Sequence, residues 1–145
     1  EGGSLEGGAR GGSSSSAPLL LQLGSAGYEA TVLQPGVDVL VLFGARWCTR
    51  CNLFGTEMAA LSRSFAQDGH LLFAQMDVTE HEVSAPPLHT IPAIYLFRAN
   101  STNLADGVLY AGDESTRSIA AFLALERFAK PGELEASRLS PKEEL

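Results

Sequence analysis

The sequence predicts an α/β fold with a mixed central β-sheet flanked by helices on both faces. Three observations point there. A short apolar run, Val39-Leu40-Val41-Leu42-Phe43, is bounded by Asp38 and Gly44 and reads as a buried strand. Behind it, Leu53, Phe54, Met58, Leu61 and Phe65 recur near the helical period. Strand and helix signals then alternate in the order β-α-β-α-β-α-β-β-α, two parallel crossovers followed by a hairpin.

The elements follow in chain order. Residues 18–23 open the fold as a short strand. Ser25 is placed to cap a brief helix carrying Tyr28, Val32 and Leu33, which the turn Gln34-Pro35-Gly36 stops. The central strand comes next. The helix behind it is expected to run to about Ala66, with Asp68-Gly69 closing it. Residues 71–77 read as a second buried strand. Residues 82–88 form a short helix at best, because Pro86 and Pro87 cut it. Residues 91–97 are a third strand opening on Pro92, and an Ile91-Pro92 bond at such a corner is a candidate for the cis form. Residues 100–107 make a polar hairpin loop, and 108–112 the paired strand. Ser115 caps a final helix with Ile119, Phe122, Leu123 and Leu125 facing inward, ending near Lys130-Pro131-Gly132.

A length of 145 residues suits one domain. Residues 1–17 are Gly- and Ser-rich with one leucine, cannot bury enough apolar surface to fold, and read as a flexible linker. The folded domain is expected over 18–130, and 131–145 is a charged tail. The chain starts at Glu1 rather than Met, as a mature form or a fragment would, and the long linker hints at upstream domains. A net charge of −7 and the lack of a basic patch argue against nucleic acid as a partner. No apolar run approaches the length of a membrane span.

The chemistry concentrates in Trp47-Cys48-Thr49-Arg50-Cys51, which holds both cysteines and the one tryptophan. The pair sits where a strand ends and a helix begins. Unpaired N–H groups and the positive end of the dipole stabilise a thiolate there, and thiolate is the reactive form of cysteine. A C-x-x-C spacing lets the second thiol attack a mixed disulfide made by the first, which is dithiol–disulfide exchange. Two other readings carry less weight. Zinc wants four ligands, whereas a second C-x-x-C is missing and His70, His81 and His89 lack ligand-pair spacing. A purely structural disulfide across so short a loop removes little unfolded-state entropy. No metal and no other cofactor is expected.

Three blocks carry a family resemblance: 39–51, ending in the W-C-x-x-C stretch; 76–83, Met-Asp-Val-Thr-Glu-His-Glu-Val; and 89–97, His-Thr-Ile-Pro-Ala-Ile-Tyr-Leu-Phe. Together with Tyr110-Ala111-Gly112 before a capped helix, they resemble a thioredoxin-fold domain of the protein disulfide isomerase family, over about residues 19–128. The resemblance implies a thiol–disulfide oxidoreductase or isomerase with a redox-active Cys48–Cys51 pair. Cys48 would be the exposed nucleophile and Cys51 the buried resolving thiol. Pro92 would be the cis-proline facing the disulfide, with Ile91 before it, and Trp47, Thr49 and Arg50 would shape the site. The implied partners are cysteine-containing client proteins, with glutathione or an upstream oxidase as redox partner. The ending Lys142-Glu143-Glu144-Leu145 resembles the K-D-E-L retrieval signal, and Asn100-Ser101-Thr102 is an N-glycosylation sequon. Both agree with the endoplasmic reticulum lumen, an oxidising compartment.

Departures from the family pattern are specific. Its usual acid near the buried cysteine is Leu42 here, and its Gly-His pair is Thr49-Arg50. Its usual proline before the tryptophan is Arg46, its lysine after the second cysteine is Asn52, and its helix proline is Thr56. A mobile arginine aligns with Glu114, although Arg117 is one turn away. Loss of the acid is expected to slow release by Cys51. A permanent Arg50 cation beside the thiolate is expected to favour the reduced form, giving a potential nearer about −180 mV than about −270 mV. The competing functional class is a client-binding, chaperone-like module whose cysteines are slow or regulatory. A cytosolic thioredoxin-type reductant fits Ile91 but conflicts with the tail and the sequon.

Overall fold

The apolar run at 38–44 becomes the centre of the molecule. A computed structural model describes residues 20–128. Five strands among them, β1 (Leu21–Leu23), β2 (Asp38–Gly44), β3 (Leu71–Asp77), β4 (Ala93–Phe97) and β5 (Val108–Leu109), form one sheet in the order β1-β3-β2-β4-β5. β1, β3 and β2 run parallel, whereas β4 and β5 join antiparallel, so the sheet is mixed as the element order requires. Three helices complete it: α1 (Ser25–Val32), α2 (Thr49–Ser64) and α3 (Thr116–Phe128). None is long and apolar enough to cross a membrane.

Every residue of β2 is buried, because both faces of the sheet are covered. Its side chains alternate between two cores. Leu40 and Leu42 join Phe54 and Met58 of α2 and Ile119 and Leu123 of α3. Val39, Val41 and Phe43 join Tyr28 and Val32 of α1 on the other face. Tyr28 meets Phe43 edge-on at 5.7 Å between ring centroids.

Several expected details differ. β1 begins at Leu21, and Pro18 and Leu19 lie outside the described residues. Ser25 does not cap α1. Gly24 is the N-cap and offers no side chain, while the Ser25 N–H donates to His81 Nδ1 at 3.2 Å. The imidazole thus satisfies one of the unpaired N–H groups at the helix start. Residues 82–88 form no helix. Two consecutive prolines lack the N–H groups a helix needs, and the Ala85–Pro86 bond is cis. Tyr28 donates its hydroxyl to the Ala85 carbonyl at 2.9 Å, and Tyr95 donates to that of Pro87 at 2.7 Å. The described order is thus β-α-β-α-β-β-β-α.

β4 starts at Ala93, after a cis Ile91–Pro92 bond. β5 stops at Leu109, although the Tyr110 N–H still donates to the Ile94 carbonyl at 2.8 Å. The hairpin loop contains a short 3₁₀ turn, Leu104–Asp106. Ser115 caps α3, its hydroxyl accepting the Ser118 N–H at 3.1 Å. Leu125 is 59% exposed, not inward. From Leu123 a helix returns to the same face after three or four residues, so Glu126 takes the buried position.

The end of α3 is tied to the far ends of two core elements. Arg127 reaches Asp38 Oδ2 at 2.7 Å and Asp68 Oδ2 at 2.9 Å, with its side chain only 5% exposed. Asp38 also accepts the Ala99 N–H at 2.7 Å. Arg127→Met should cost about 2 kcal/mol in denaturant unfolding. That is below the usual 3–5 for breaking a buried pair, because Asp68 keeps contact with water and Asp38 keeps its N–H partner. The His70 N–H, and then Arg127, hold the Asp68 carboxyl below its ordinary value of 3.8. Such a depressed carboxylate stabilises the fold above the unfolded-state value, and that share is lost as pH falls through the folded one. Acid titration curves of wild type and Arg127→Met should therefore draw closer as pH falls below 3.8, by the share that Arg127 contributes at Asp68. Equal stability at neutral pH would contradict the assignment.

Candidate functional site

β2 delivers the chain to the cysteines. It ends at Gly44, and Ala45, Arg46 and Trp47 turn the backbone into α2, the Cys48 N–H closing this turn on the Ala45 carbonyl at 3.1 Å. Cys48 is the N-cap of α2, with extended dihedrals (φ −89°, ψ 112°), and its sulfur accepts the Cys51 N–H at 3.1 Å. A cap position usually held by serine, threonine or aspartate is thus held by sulfur, which places that sulfur on the unpaired amides and the positive dipole end. Cys48 and Cys51 are joined as a disulfide, with Cα atoms 5.2 Å apart.

The two sulfurs differ in setting. Cys48 is partly exposed, whereas Cys51 is 4% exposed. Cys51 Sγ lies on the end of β2, where a Cβ on Gly44 would come within 2.8 Å of it. A residue with a side chain at 44 would push the sulfur off its seat. The chain can therefore attack outward through one sulfur while holding the other in reserve.

The charges are arranged differently from expectation. Arg50 Nε pairs with Glu114 Oε2 at 3.1 Å, and the guanidinium lies 5.6 Å from the centre of the Phe54 ring. Glu114 is an acid, and it draws the motif cation to itself. Arg46 is drawn the other way, to Glu80 and to Asp77 Oδ2, the latter at 3.7 Å. The help that Arg50 gives a Cys48 thiolate is correspondingly smaller, and the couple should lie below about −180 mV. Glu114→Gln should release Arg50. An exposed pair is worth at most about 1 kcal/mol, so the potential should rise by on the order of 10 mV and Cys48 alkylation should quicken about two-fold. Equilibration against glutathione buffers measures the first. An unchanged or lower potential would mean that Arg50 does not act on the sulfur.

Trp47, next to Cys48 in the chain, stands 72% exposed, and Leu53 on the first turns of α2 is 51% exposed. Thr49, the first helical residue, is also exposed. Pro92 immediately precedes β4, whose Ala93 pairs with Phe43, so Ile91 and Pro92 lie at the same end of the sheet as the cysteines. Asn100 is exposed in the turn after β4 and lies away from the pair in the fold. The tail Lys142-Glu143-Glu144-Leu145 falls outside the described residues.

One feature was not anticipated. Behind Cys51 is a cavity of about 340 Å³, bounded by Leu42, Gly44 and Cys51 and on its other walls by Gln22, Asn52, Gln75, Asp77, Glu80 and Arg46. The signal was present in β3: on the face toward α2, Leu71 and Phe73 give way to Gln75 and Asp77. Leu42 pairs with Gln75 and Gly44 with Asp77. The Thr79 hydroxyl and N–H, and more weakly Arg46, hold the Asp77 carboxyl below its ordinary range.

Comparison with known proteins agrees with this geometry. The thioredoxin family model matches residues 20–124. Protein disulfide-isomerase of Saccharomyces cerevisiae is 29% identical over 105 residues, 72% of this chain and 20% of that protein. Protein disulfide-isomerase of Gallus gallus is 28% identical over 97 residues, 66% of this chain and 18% of that protein. The chain thus spans about a fifth of the length of these relatives. Among solved structures, the J-Trx1 fragment of ERdj5 superposes with a TM-score of 0.61 at 20% identity, covering 73% of this chain and 50% of that one.

Proposed function

The chain belongs to the thioredoxin family, and on that premise we propose that it is a thiol–disulfide oxidoreductase of the secretory pathway. It forms, reduces or rearranges disulfides in client proteins. The observation that carries this reading is the asymmetry of the pair: Cys48 caps α2 and is partly exposed, while Cys51 is buried behind it on Gly44. In the reducing direction, Cys48 thiolate attacks a client disulfide and expels one client thiolate. Cys51 then attacks Cys48 Sγ, the second client thiol leaves, and the Cys48–Cys51 bond forms. Reduced glutathione returns the pair to the dithiol in this direction; when the chain instead forms client disulfides, an upstream oxidase restores the Cys48–Cys51 bond. Pro92 faces the disulfide in this reading and leaves the chain before it free to pair with an extended client segment, with Trp47 and Ile91 as apolar contacts. The ending Lys142-Glu143-Glu144-Leu145 and the exposed Asn100 sequon support residence in the endoplasmic reticulum lumen.

A second reading, a client-holding module with slow redox chemistry, draws on two observations. Leu42 offers no base to Cys51, and Glu114 ties up Arg50. Reduction of insulin-type disulfides decides between the two. Turnover with dithiol present supports the enzyme; capture of one client per chain without turnover supports the module and overturns the first reading.

A further inference from the structure

We propose that Cys51 gives up its proton to water held in the cavity behind it, and that Gln75 is the positioning residue that holds this water against the sulfur. The inference rests on the exchange chemistry proposed above and identifies who serves its second step. That step needs Cys51 as thiolate, and burial pushes a thiol toward its neutral form. The residue beneath the sulfur on β2 is Leu42, which can neither accept a proton nor orient a donor. Its neighbour across the parallel ladder is Gln75, and strands in such a ladder lie about 4.8 Å apart.

Gln75 Oε1 lies where a Cβ on Gly55 would be 3.5 Å away, with Leu42 Cδ2 at 3.7 Å from the same point. The amide is therefore tucked under α2, one turn beyond Cys51. It lines the same cavity as Cys51, and so does Gln22, its neighbour on β1. A cavity of about 340 Å³ with amide, carboxylate and guanidinium walls is roomy and polar enough to hold water. An amide both donates and accepts, so it can fix a water that accepts from the thiol and donates to the thiolate.

The charged groups facing the cavity are Arg46 from the turn before α2, Asp77 from β3 and Glu80 just after it. Arg46 is paired with both acids. Asp77 is further occupied by the Thr79 N–H and hydroxyl at 2.9 and 2.5 Å, which leaves it a poor proton acceptor. The step balances as follows. Cys51 S–H passes its proton to cavity water, and the sulfur attacks Cys48 Sγ. The Cys48–Cys51 bond forms, the Cys48–client bond breaks, and the client thiolate leaves with the electron pair and is protonated from solvent.

The test uses Cys48→Ser, in which Cys51 is the remaining thiol, titrated by thiolate ultraviolet absorbance. Gln75→Leu in that background should raise the Cys51 midpoint by about one pH unit, and in the two-cysteine chain should slow decay of a Cys48–peptide mixed disulfide about tenfold near neutral pH. The rate of forming that mixed disulfide should not change, because Cys48 lies on the other side of the pair. Gln75→Met, unbranched and of similar length, should show the same pattern should Gln75→Leu fail to fold. An unmoved midpoint in a folded variant overturns the role of Gln75 while leaving exchange intact. Slowed decay in Asp77→Asn with normal decay in Gln75→Leu overturns it in favour of the carboxylate. A shifted midpoint together with no mixed disulfide in the unaltered pair keeps Gln75 and removes the enzymatic reading.

Discussion

Replacing Cys48 with serine is expected to reduce disulfide exchange to background, whereas Cys51→Ser should leave the first step intact and accumulate mixed disulfides with clients. The two outcomes differ because the two sulfurs occupy different physical environments. Cys48 holds the N-cap position, where the Cys51 N–H donates to it at 3.1 Å and the open end of α2 favours negative charge. Its thiol pKa should fall below the free value of about 8.5. Cys51 is 4% exposed and sits against Gly44, so a client sulfur cannot reach it and burial favours its neutral form. Brief alkylation of the reduced chain followed by mass mapping should label Cys48 first. Removing Cys48 therefore removes the nucleophile; removing Cys51 removes the exit. Preferential labelling of Cys51, or residual turnover in Cys48→Ser comparable to the unaltered chain, would reverse the assignment of roles.

Much of this was legible before the fold was seen. The Val39–Phe43 run could only be a strand covered on both sides, and a C-x-x-C directly behind it could only fall on a helix start. What escaped the sequence was long-range or depended on which way a side chain turned. Arg127 and Asp38 are 89 positions apart, and no local pattern announces their pairing. Arg50 was expected to act on the cysteines, but Glu114, 64 positions on, competes for the same cation. Residue type alone puts the α1 cap on Ser25, yet Gly24 holds that position and an imidazole 56 positions away accepts the Ser25 N–H. Apolarity alone suggests an inward Leu125, whereas helical spacing from Leu123 puts it outside. The switch from Leu71 and Phe73 to Gln75 and Asp77 was readable as a break in one face of β3. It acquired meaning only once the register set Gln75 beside Leu42.

Leu42→Glu should shorten the lifetime of Cys48–client mixed disulfides about tenfold near neutral pH, at a stability cost of about 2–3 kcal/mol. General base help is typically worth 10²–10⁴-fold, and a grafted carboxyl without its own supporting contacts should reach only about the tenfold level. Position 42 is the right place for it. Leu42 is 2% exposed, lines the cavity that reaches Cys51, and lies beside Gln75, whose amide N–H can donate to the new carboxylate. That neighbour and the cavity water limit the penalty of burying an acid, which in a dry core would be larger. Burial should raise the Glu pKa above its ordinary value of about 4.3. The sign then follows from linkage. An acid raised in the folded state destabilises the fold as pH climbs past the unfolded value, while its usefulness as a base begins only above the folded one. The variant should accordingly match the unaltered chain in stability most closely in acid, lose stability as pH climbs from the unfolded toward the folded value, and gain resolving speed as pH passes the folded one. The measurement is the decay of a trapped mixed disulfide across that pH range in both proteins, beside their denaturation midpoints. Equal decay at every pH in two folded proteins would mean that cavity water already removes the Cys51 proton as fast as a carboxylate can, and that release of the client is limited by something other than the base.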